Sequence, residues 1–202
     1  MPDQRPYAAL FAKGEDRRQR ILAVAQRLLT RNGSRGTTLG QIAREAGVTS
    51  AGLLHHFESK EKLLHAVLDA RDSYDAATID AFGDVVDILR GYAEQLKATP
   101  DLVGTFVVLL AESLAPGAPL HDRFLDRYQF SLHAVAESIR RGQRAGRYRT
   151  DLDPAVKAVE VMAFLYGIET SWLLDPTIPL AETCREFTES LARQLAVPSD
   201  AR

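Results

Sequence analysis

Apolar positions recur every three or four residues along most of the chain, which is the spacing of helices with one buried face. Three stripes show it best: Ile21, Leu22, Ala25, Leu28 and Leu29; Leu63, Leu64, Val67 and Leu68; and Phe124, Tyr128, Leu132, Val135 and Ile139. No proline lies between Pro6 and Pro100, and the later prolines divide the C-terminal half into helix-sized pieces. The pattern predicts an all-α fold.

The spacing predicts nine helices. Their spans are 16–32, 39–46, 50–57, 60–75, 81–98, 101–114, 120–144, 154–174 and 180–196. Gly33 is predicted to end the first helix in a left-handed conformation. The best strand candidate, Thr105–Leu110, has no second strand nearby to pair with, so a helix is predicted there as well.

Between residues 33 and 52 the pattern predicts two short helices joined by a tight turn. Thr38 and Gln41 have the spacing of a capping box at the start of the first, and Gly47 ends it. Thr49 is placed to cap the second. This arrangement is a helix-turn-helix.

The second of these helices has an unusually slender exposed face. Leu53 and Phe57 point inward, which leaves small and polar residues outside: Ser50, Ala51, Gly52, His55 and His56. Such a surface allows close approach to base edges in a major groove, and the amides at the helix start favour a phosphate. The alternative is an ordinary helical hairpin inside a bundle, which does not need slender polar residues there.

Charge supports nucleic acid as the partner of the N-terminal segment. Residues 1–60 carry ten Lys/Arg and five Asp/Glu (+5), whereas residues 61–202 carry fifteen and twenty-two (−7). Solvated surface charge alone is the alternative explanation. The composition shift near residue 70 divides the 202 residues into a helix-turn-helix DNA-binding domain at 1–70 and a second helical domain at 71–202.

Composition excludes several other classes. With 46% hydrophobic and 26% charged residues, the chain is too apolar to be disordered. The longest apolar run, Leu102–Ala111, is about half the roughly 20 residues that a membrane span needs. The first twenty residues lack the apolar stretch of a secretion signal, and Cys184 is the single cysteine, so we expect no membrane and a cytoplasmic protein.

No catalytic, cofactor or metal signature emerges from the sequence. Ser59–Lys62 matches S-x-x-K, but its partner motifs are missing. His55, His56 and Glu58 are a weak metal candidate, because adjacent helical residues point about 100° apart and no third histidine or cysteine is near. We expect neither an enzyme nor a cofactor.

Residues 17–70 resemble the DNA-binding domain of TetR-family transcriptional regulators. The resemblance is carried by the features Gly33, Thr37–Thr38, Ile42–Ala43, Ala46–Gly47–Val48, Leu53 to Phe57, and Ser59–Lys60–Glu61. It implies that Thr38 and Lys60 bind phosphates, that Thr49, Ser50, Ala51, Gly52 and His55 face the groove, and that His56 replaces an aromatic phosphate contact. Leu54 departs from the tyrosine that is common in the family.

In the family the C-terminal domain holds a small-molecule effector, so the resemblance implies a pocket touched by some of Tyr92, Phe106, Leu109, Tyr128 and Phe164. Most of the aromatic residues after residue 75 are predicted as core, in a set that comprises Phe82, Tyr92, Phe106, Tyr128, Phe130, Phe164, Tyr166 and Trp172. Ala163, Gly167 and Ser171 form a small-residue face that resembles the family's dimer interface, with internal packing as the alternative. A second basic cluster, Arg140, Arg141, Arg144, Arg147 and Arg149, is interpreted as surface charge at a helix end.

The sequence therefore predicts a homodimeric regulator, a repressor that an effector releases from a palindromic double-stranded operator. The alternative is a helical ligand-binding or scaffold dimer that has lost specific DNA recognition, which Leu54 favours. Effector and operator are left open.

Overall fold

The computed structural model describes residues 5–78, 80 and 83–198, and of residues 5–14 the backbone alone. Ten helices follow one another in these ranges: α1 (Arg5–Gly36), α2 (Leu39–Glu45), α3 (Ser50–Phe57), α4 (Lys60–Thr78), α5 (Val85–Arg90), α6 (Tyr92–Ala98), α7 (Pro100–Glu112), α8 (His121–Arg144), α9 (Pro154–Leu174) and α10 (Leu180–Leu195). The all-α prediction is confirmed. The predicted count of nine is one too low, because the helix expected at 81–98 is divided at Gly91 into α5 and α6. Phe82 lies outside the described residues.

The first helix is longer than predicted and is kinked rather than ended by Gly33. It begins at Arg5, and the backbone at Gly33 has φ 69° and ψ 177° before one more helical turn reaches Gly36. The positive φ is as predicted, but ψ is extended rather than left-handed helical. At the kink the amide of Ser34 donates to both carboxylate oxygens of Glu112 on α7, at 3.1 and 3.0 Å. This long-range partner satisfies an amide that the kink removes from the helix.

One apolar core joins the two predicted domains. Helices α1 to α4 share it with the start of α8 and the middle of α7, through Ile21, Leu29, Ile42, Leu53, Phe57, Leu63, Val67, Phe106, Leu109, Leu120 and Phe124. Helix α4 itself runs through residue 70, the predicted boundary. Residues of α7 and the start of α8 therefore pack in the same core as the helices of the helix-turn-helix.

Helices α1 and α7 approach each other closely at Gly104. A Cβ on Gly104 would lie 2.5 Å from the Thr30 methyl group, so this contact requires glycine. The Thr30 hydroxyl lies 3.0 Å from that of Thr105. Two further apolar clusters complete the C-terminal half: one joins α5, α8, α9 and α10, and the other joins α6, α7, α9 and α10.

Candidate nucleic-acid interface and effector site

The predicted cap of α2 is present and complete. The Thr38 hydroxyl accepts from the Gln41 amide at 3.2 Å, and the Gln41 side-chain oxygen accepts from the Thr38 amide at 2.8 Å. Both ends of the capping box are therefore satisfied, as the spacing predicted. Gly47 has φ 67° and makes the turn into α3.

Helix α3 is anchored by two buried residues and presents a slender outer surface. Leu53 and Phe57 are 0% and 3% exposed and hold the helix against the core. The outward residues predicted to face DNA are exposed or half-buried: Thr49, Ser50, Ala51, Gly52, His55 and His56. The Thr49 hydroxyl caps the helix by accepting from the Gly52 amide at 3.0 Å. A Cβ on Gly52 would lie 3.2 Å from that hydroxyl, so glycine also gives the cap room.

Two arginines of α1 join the histidines of α3 in a cationic cluster. The His55 and His56 rings lie 5.8 Å apart, and the Arg18 guanidinium sits 5.3 Å from the centre of the Phe57 ring. Partial burial lowers the pKa of His56, and the nearby charges of His55, Arg17 and Arg18 lower it further. Sequence reasoning missed the two arginines, because their proximity to α3 depends on how α1 packs.

Lys60 lies at the start of α4, as predicted, but its ammonium already donates to the Ser34 carbonyl at 2.5 Å. Ser34 is thus held from both sides, because its amide is bound by Glu112. The hydrogen bonds of Ser34 link the start of α4 and the end of α1 to Glu112 on α7.

Leu54 is 41% exposed on α3, so its apolar side chain lies on the outer surface.

The second basic cluster is largely neutralised by neighbouring carboxylates. Glu137 pairs with Arg140 and Arg144, Asp84 with Arg147, and Asp151 with Arg149. Hydrogen bonding from Arg144 lowers the pKa of the Glu137 carboxyl. These local pairs fit the interpretation of ordinary surface charge.

A buried ion pair lies at the junction of α4, α6 and α9. The Arg71 guanidinium donates through Nη2 to Glu169 Oε1 at 2.6 Å, and the Tyr92 hydroxyl donates to the same oxygen at 2.7 Å. Burial opposes the charge on Arg71, but Glu169 and Asp75 outweigh it, so the pKa of Arg71 is raised. Burial and the Glu169 charge raise the pKa of Tyr92 well above its usual value. Both groups therefore keep their protons at neutral pH.

An aromatic cluster adjoins the ion pair. The Phe106 ring lies 5.4 Å from Phe124 and 5.7 Å from Tyr166, and Tyr166 lies 6.0 Å from Tyr128. The guanidinium groups of Arg71 and Arg127 sit 4.6 and 5.1 Å from the Phe106 ring centre. Burial raises the pKa of Tyr166 to about 12.

The predicted effector residues fall into two groups. Tyr92, Phe106 and Tyr128 adjoin the buried ion pair and its aromatic cluster, and Leu109 belongs to the same apolar core as Phe106. Phe164 instead stacks on Phe187, with ring centres 3.7 Å apart, beside the α6 cluster.

Sequence reasoning missed the charged residues of this region, among them Arg71, Arg127 and Glu169. Asp69, Asp72 and Asp75 recur every three residues on α4 and pair with Arg123 and Arg127 on α8. That acidic spacing is visible in the sequence, but nothing in it identifies the partner helix.

Two open surface clefts lie away from this cluster, around α5. Their volumes are about 500 and 430 Å³, and both include Asp84 and Asp87 in their linings. Across the described ranges, no group of three or more His, Cys, Asp or Glu side chains is arranged to hold a metal. None of the helices within those ranges is long and apolar enough to span a bilayer.

A capped helix, a glycine turn and an anchored second helix with a slender outer face define a helix-turn-helix DNA-binding protein. Comparison with known proteins identifies the family. Residues 21–67 match the family model for bacterial regulatory proteins of the tetR family, and residues 83–196 match that for the C-terminal part of BetI-type transcriptional repressors. The chain belongs to the TetR family of transcriptional regulators.

Individual relatives agree with this assignment. The chain is 27% identical to the transcriptional regulator TtgR of Pseudomonas putida over 179 residues, which cover 81% of this chain and 83% of TtgR. NalD, the secondary repressor of the MexAB-OprM efflux pump in Pseudomonas aeruginosa, has the same fold, with a TM-score of 0.73, 20% identity and coverage of 92% and 98%. A putative regulator from Saccharomonospora viridis in complex with choline superposes with a TM-score of 0.69 and 26% identity, covering 91% and 100%.

The chain is therefore a DNA-binding transcriptional regulator, and effector-regulated repression is typical of these relatives. Regulators of this family bind operators and small molecules as dimers. The family is one of regulators rather than enzymes.

Proposed function

We propose that the protein is a homodimeric repressor that binds a palindromic operator and leaves it when a small molecule occupies the C-terminal half. The observation that carries the proposal is the outer face of α3, where small and polar residues stand exposed on a buried Leu53–Phe57 anchor. Such a protein acts on the chromosome, so the proposal places it in the cytoplasm.

Each exposed residue has a role in this proposal. Thr49, Ser50, Ala51, Gly52 and His55 enter the major groove, and His55 contacts a base edge. Thr38 and Lys60, at the starts of α2 and α4, bind phosphates through their side chains and the adjoining helix amides, and His56 binds a third. For Lys60 this requires that its ammonium turn away from the Ser34 carbonyl.

The dimer forms through the outer face of α9, together with α10. Val156 and Val159 are 54% and 48% exposed one turn apart, and the same face continues through Ala163, Gly167 and Ser171. Apolar and small residues favour close contact with a second copy, and two-fold symmetry places two α3 helices about 34 Å apart for successive major grooves.

The effector binds near Tyr92, Phe106, Leu109 and Tyr128, with Phe164 at the margin. Two routes lead from there to the DNA-binding unit. Helix α4 carries Arg71 in the effector region and Lys60 at the DNA end. Helix α7 carries Phe106, and its Glu112 binds the Ser34 amide at the kink of α1. A coupling of about 1–3 kcal/mol along them changes operator occupancy 5- to 150-fold.

The test is selection of the full-length chain on random duplex DNA, followed by titration of the selected sequence at several salt concentrations. We expect an inverted repeat and an affinity that falls steeply with salt. His55→Ala is expected to weaken binding and relax preference at one position of each half-site, whereas His133→Ala on α8 is the matched control. An equally strong, unchanged preference in His55→Ala would remove His55 from the groove.

The second candidate, a ligand-binding or scaffold dimer without DNA recognition, is favoured by the exposed leucine at position 54. It predicts a stable dimer that selects no sequence and binds duplex DNA weakly at every salt concentration.

A further inference from the structure

The buried ion pair between α4 and α9 is only half satisfied. Arg71 and Glu169 meet through one nitrogen and one oxygen, Nη2 and Oε1. Arg71 Nη1 and Glu169 Oε2 are also buried, and neither has a hydrogen-bond partner in the described residues. The two side chains are 10% and 1% exposed. Buried polar atoms of charged groups are seldom left without a partner, so these two atoms are free to take a hydrogen-bonding group that the described residues do not supply.

The chemistry of the two atoms restricts the polar group that can bind to both of them. A guanidinium nitrogen only donates hydrogen bonds and an ionised carboxylate oxygen only accepts them. A group that meets both must accept from Arg71 Nη1 and donate to Glu169 Oε2, which a hydroxyl does with one oxygen. A carboxylate would face the Glu169 charge, and an ammonium would face the Arg71 charge, so a neutral group suits this pair best.

A permanent cation fits poorly for a second reason. Quaternary ammonium groups are held by free aromatic faces. Here the Arg71 and Arg127 guanidinium groups already lie 4.6 and 5.1 Å from the Phe106 ring centre, and their positive charges would repel a second cation at the neighbouring Tyr128 and Tyr166 rings. The negative charge of Glu169 is already compensated by Arg71. This site therefore differs from one built for choline, the ligand of the regulator from Saccharomonospora viridis.

The body of the ligand is set by the side chains beside the ion pair. Tyr128 and Tyr166 are half-buried and lie next to Phe106, so an aromatic or alicyclic body that enters past them meets ring faces and edges. The polar end then reaches Arg71 and Glu169 at the junction of α4 and α9.

We propose that the effector is a neutral compound that carries a hydroxyl group on an aromatic or alicyclic body, and that this hydroxyl bridges Arg71 Nη1 and Glu169 Oε2. This rests on the proposed function, since a ligand-responsive regulator is what gives the site its use. Because Arg71 belongs to α4, the bridging hydroxyl acts directly on the helix that carries Lys60 toward DNA.

The test compares four probes that share one body and differ only at the polar end: 4-cyclohexylphenol, its methyl ether, 4-cyclohexylbenzoate and (4-cyclohexylphenyl)trimethylammonium. Binding to the full chain is measured by calorimetry at pH 7. We expect the phenol to bind about tenfold or more tightly than the ether, which accepts but does not donate. The benzoate and the ammonium are expected to bind more weakly than the phenol.

Glu169→Gln locates the contact. The amide oxygen keeps the bonds from Arg71 and Tyr92, and the amide nitrogen then replaces the orphaned acceptor with a donor. The ether should then bind within about twofold of the phenol. Glu160→Gln, an exposed change on the same helix, is the matched control and should keep the full preference.

Three outcomes overturn the proposal: an ether, benzoate or ammonium that binds as tightly as the phenol, an unchanged preference in Glu169→Gln, or no binding of any probe, which would leave a water molecule alone at the site. If Glu169→Gln does not fold, the comparison of the four probes on the unaltered chain still tests the proposal. If the proposed function is wrong and the ligand proposal is right, the protein binds no operator but still prefers the phenol among the four probes.

Discussion

At the scale of single residues, the cationic cluster of α1 and α3 has a consequence for pH. The pKa of His56 is lowered mainly by burial. The charges of His55, Arg17 and Arg18 lower it further, whereas the charge of Glu15 raises it. The free protein therefore holds this imidazole neutral at pH 7. A phosphate bound beside it favours the protonated form and raises the same pKa.

We expect DNA affinity to rise as the pH falls. Above both pKa values His56 is neutral with or without DNA, so affinity is constant there. As the pH falls through the phosphate-bound pKa toward the lower pKa of the free protein, binding takes up a proton and affinity rises by up to about tenfold per pH unit. Fluorescence anisotropy with a duplex of arbitrary sequence from pH 8 to 5.5 measures this, because phosphate contacts do not depend on sequence.

His56→Gln isolates the contribution of His56, because this variant leaves the neighbouring His55 in place. The variant should lose part of the rise, and His133→Gln, on the exposed surface of α8, should retain all of it. Parallel curves for His56→Gln and the unaltered chain would show that this imidazole touches no phosphate.

At the scale of helices, the contact between α1 and α7 depends on one missing side chain. Gly104→Ala places a methyl group 2.5 Å from Thr30 Cγ2 and 3.1 Å from its hydroxyl. Thr30 is not free to turn away, because its hydroxyl also bonds the Gln26 carbonyl at 2.9 Å. We expect a loss of about 1–3 kcal/mol in the free energy of unfolding, measured by urea denaturation.

Gly40→Ala is the matched control for Gly104→Ala. Gly40 lies within α2 with nothing within 4 Å of a Cβ position, so alanine should stabilise the protein by about 0.5–1 kcal/mol. Equal effects of the two substitutions would mean that α1 and α7 are not in close contact.

The sequence predicted the helices well where local signals decide. The Thr38–Gln41 capping box and the Thr49 cap are where the spacing placed them, because each involves residues only three apart. The kink at Gly33 differs from the predicted helix end because its stabilising partner, Glu112, is 78 residues away from Ser34. The break at Gly91 was missed, since apolar periodicity continues on both sides of it.

At the scale of the whole molecule, the exposed face of α9 should decide the oligomeric state. Val159→Glu places a charge in the middle of this face, where desolvation on dimerisation is costly. We expect monomers at micromolar concentration in analytical ultracentrifugation, and operator affinity reduced at least tenfold, because two linked half-sites become independent.

Leu114→Glu is the control, since Leu114 is 69% exposed in the segment between α7 and α8, outside the α9 face. It should remain a dimer with unchanged operator affinity. A Val159→Glu protein that is still dimeric would place the interface elsewhere on the surface.

The sequence by itself determined the helical fold, the helix-turn-helix and the slender face of α3, because helix periodicity, caps and turns arise from residues close along the chain. Only the tertiary structure decided that one core joins α1–α4 to α7 and α8, that Glu112 holds the kink, and that Arg71, Glu169 and Tyr92 meet in the interior. Those contacts join residues 77 to 98 positions apart. Their formation depends on how amphipathic helices choose partners, and a helix's own apolar stripe does not specify the partner.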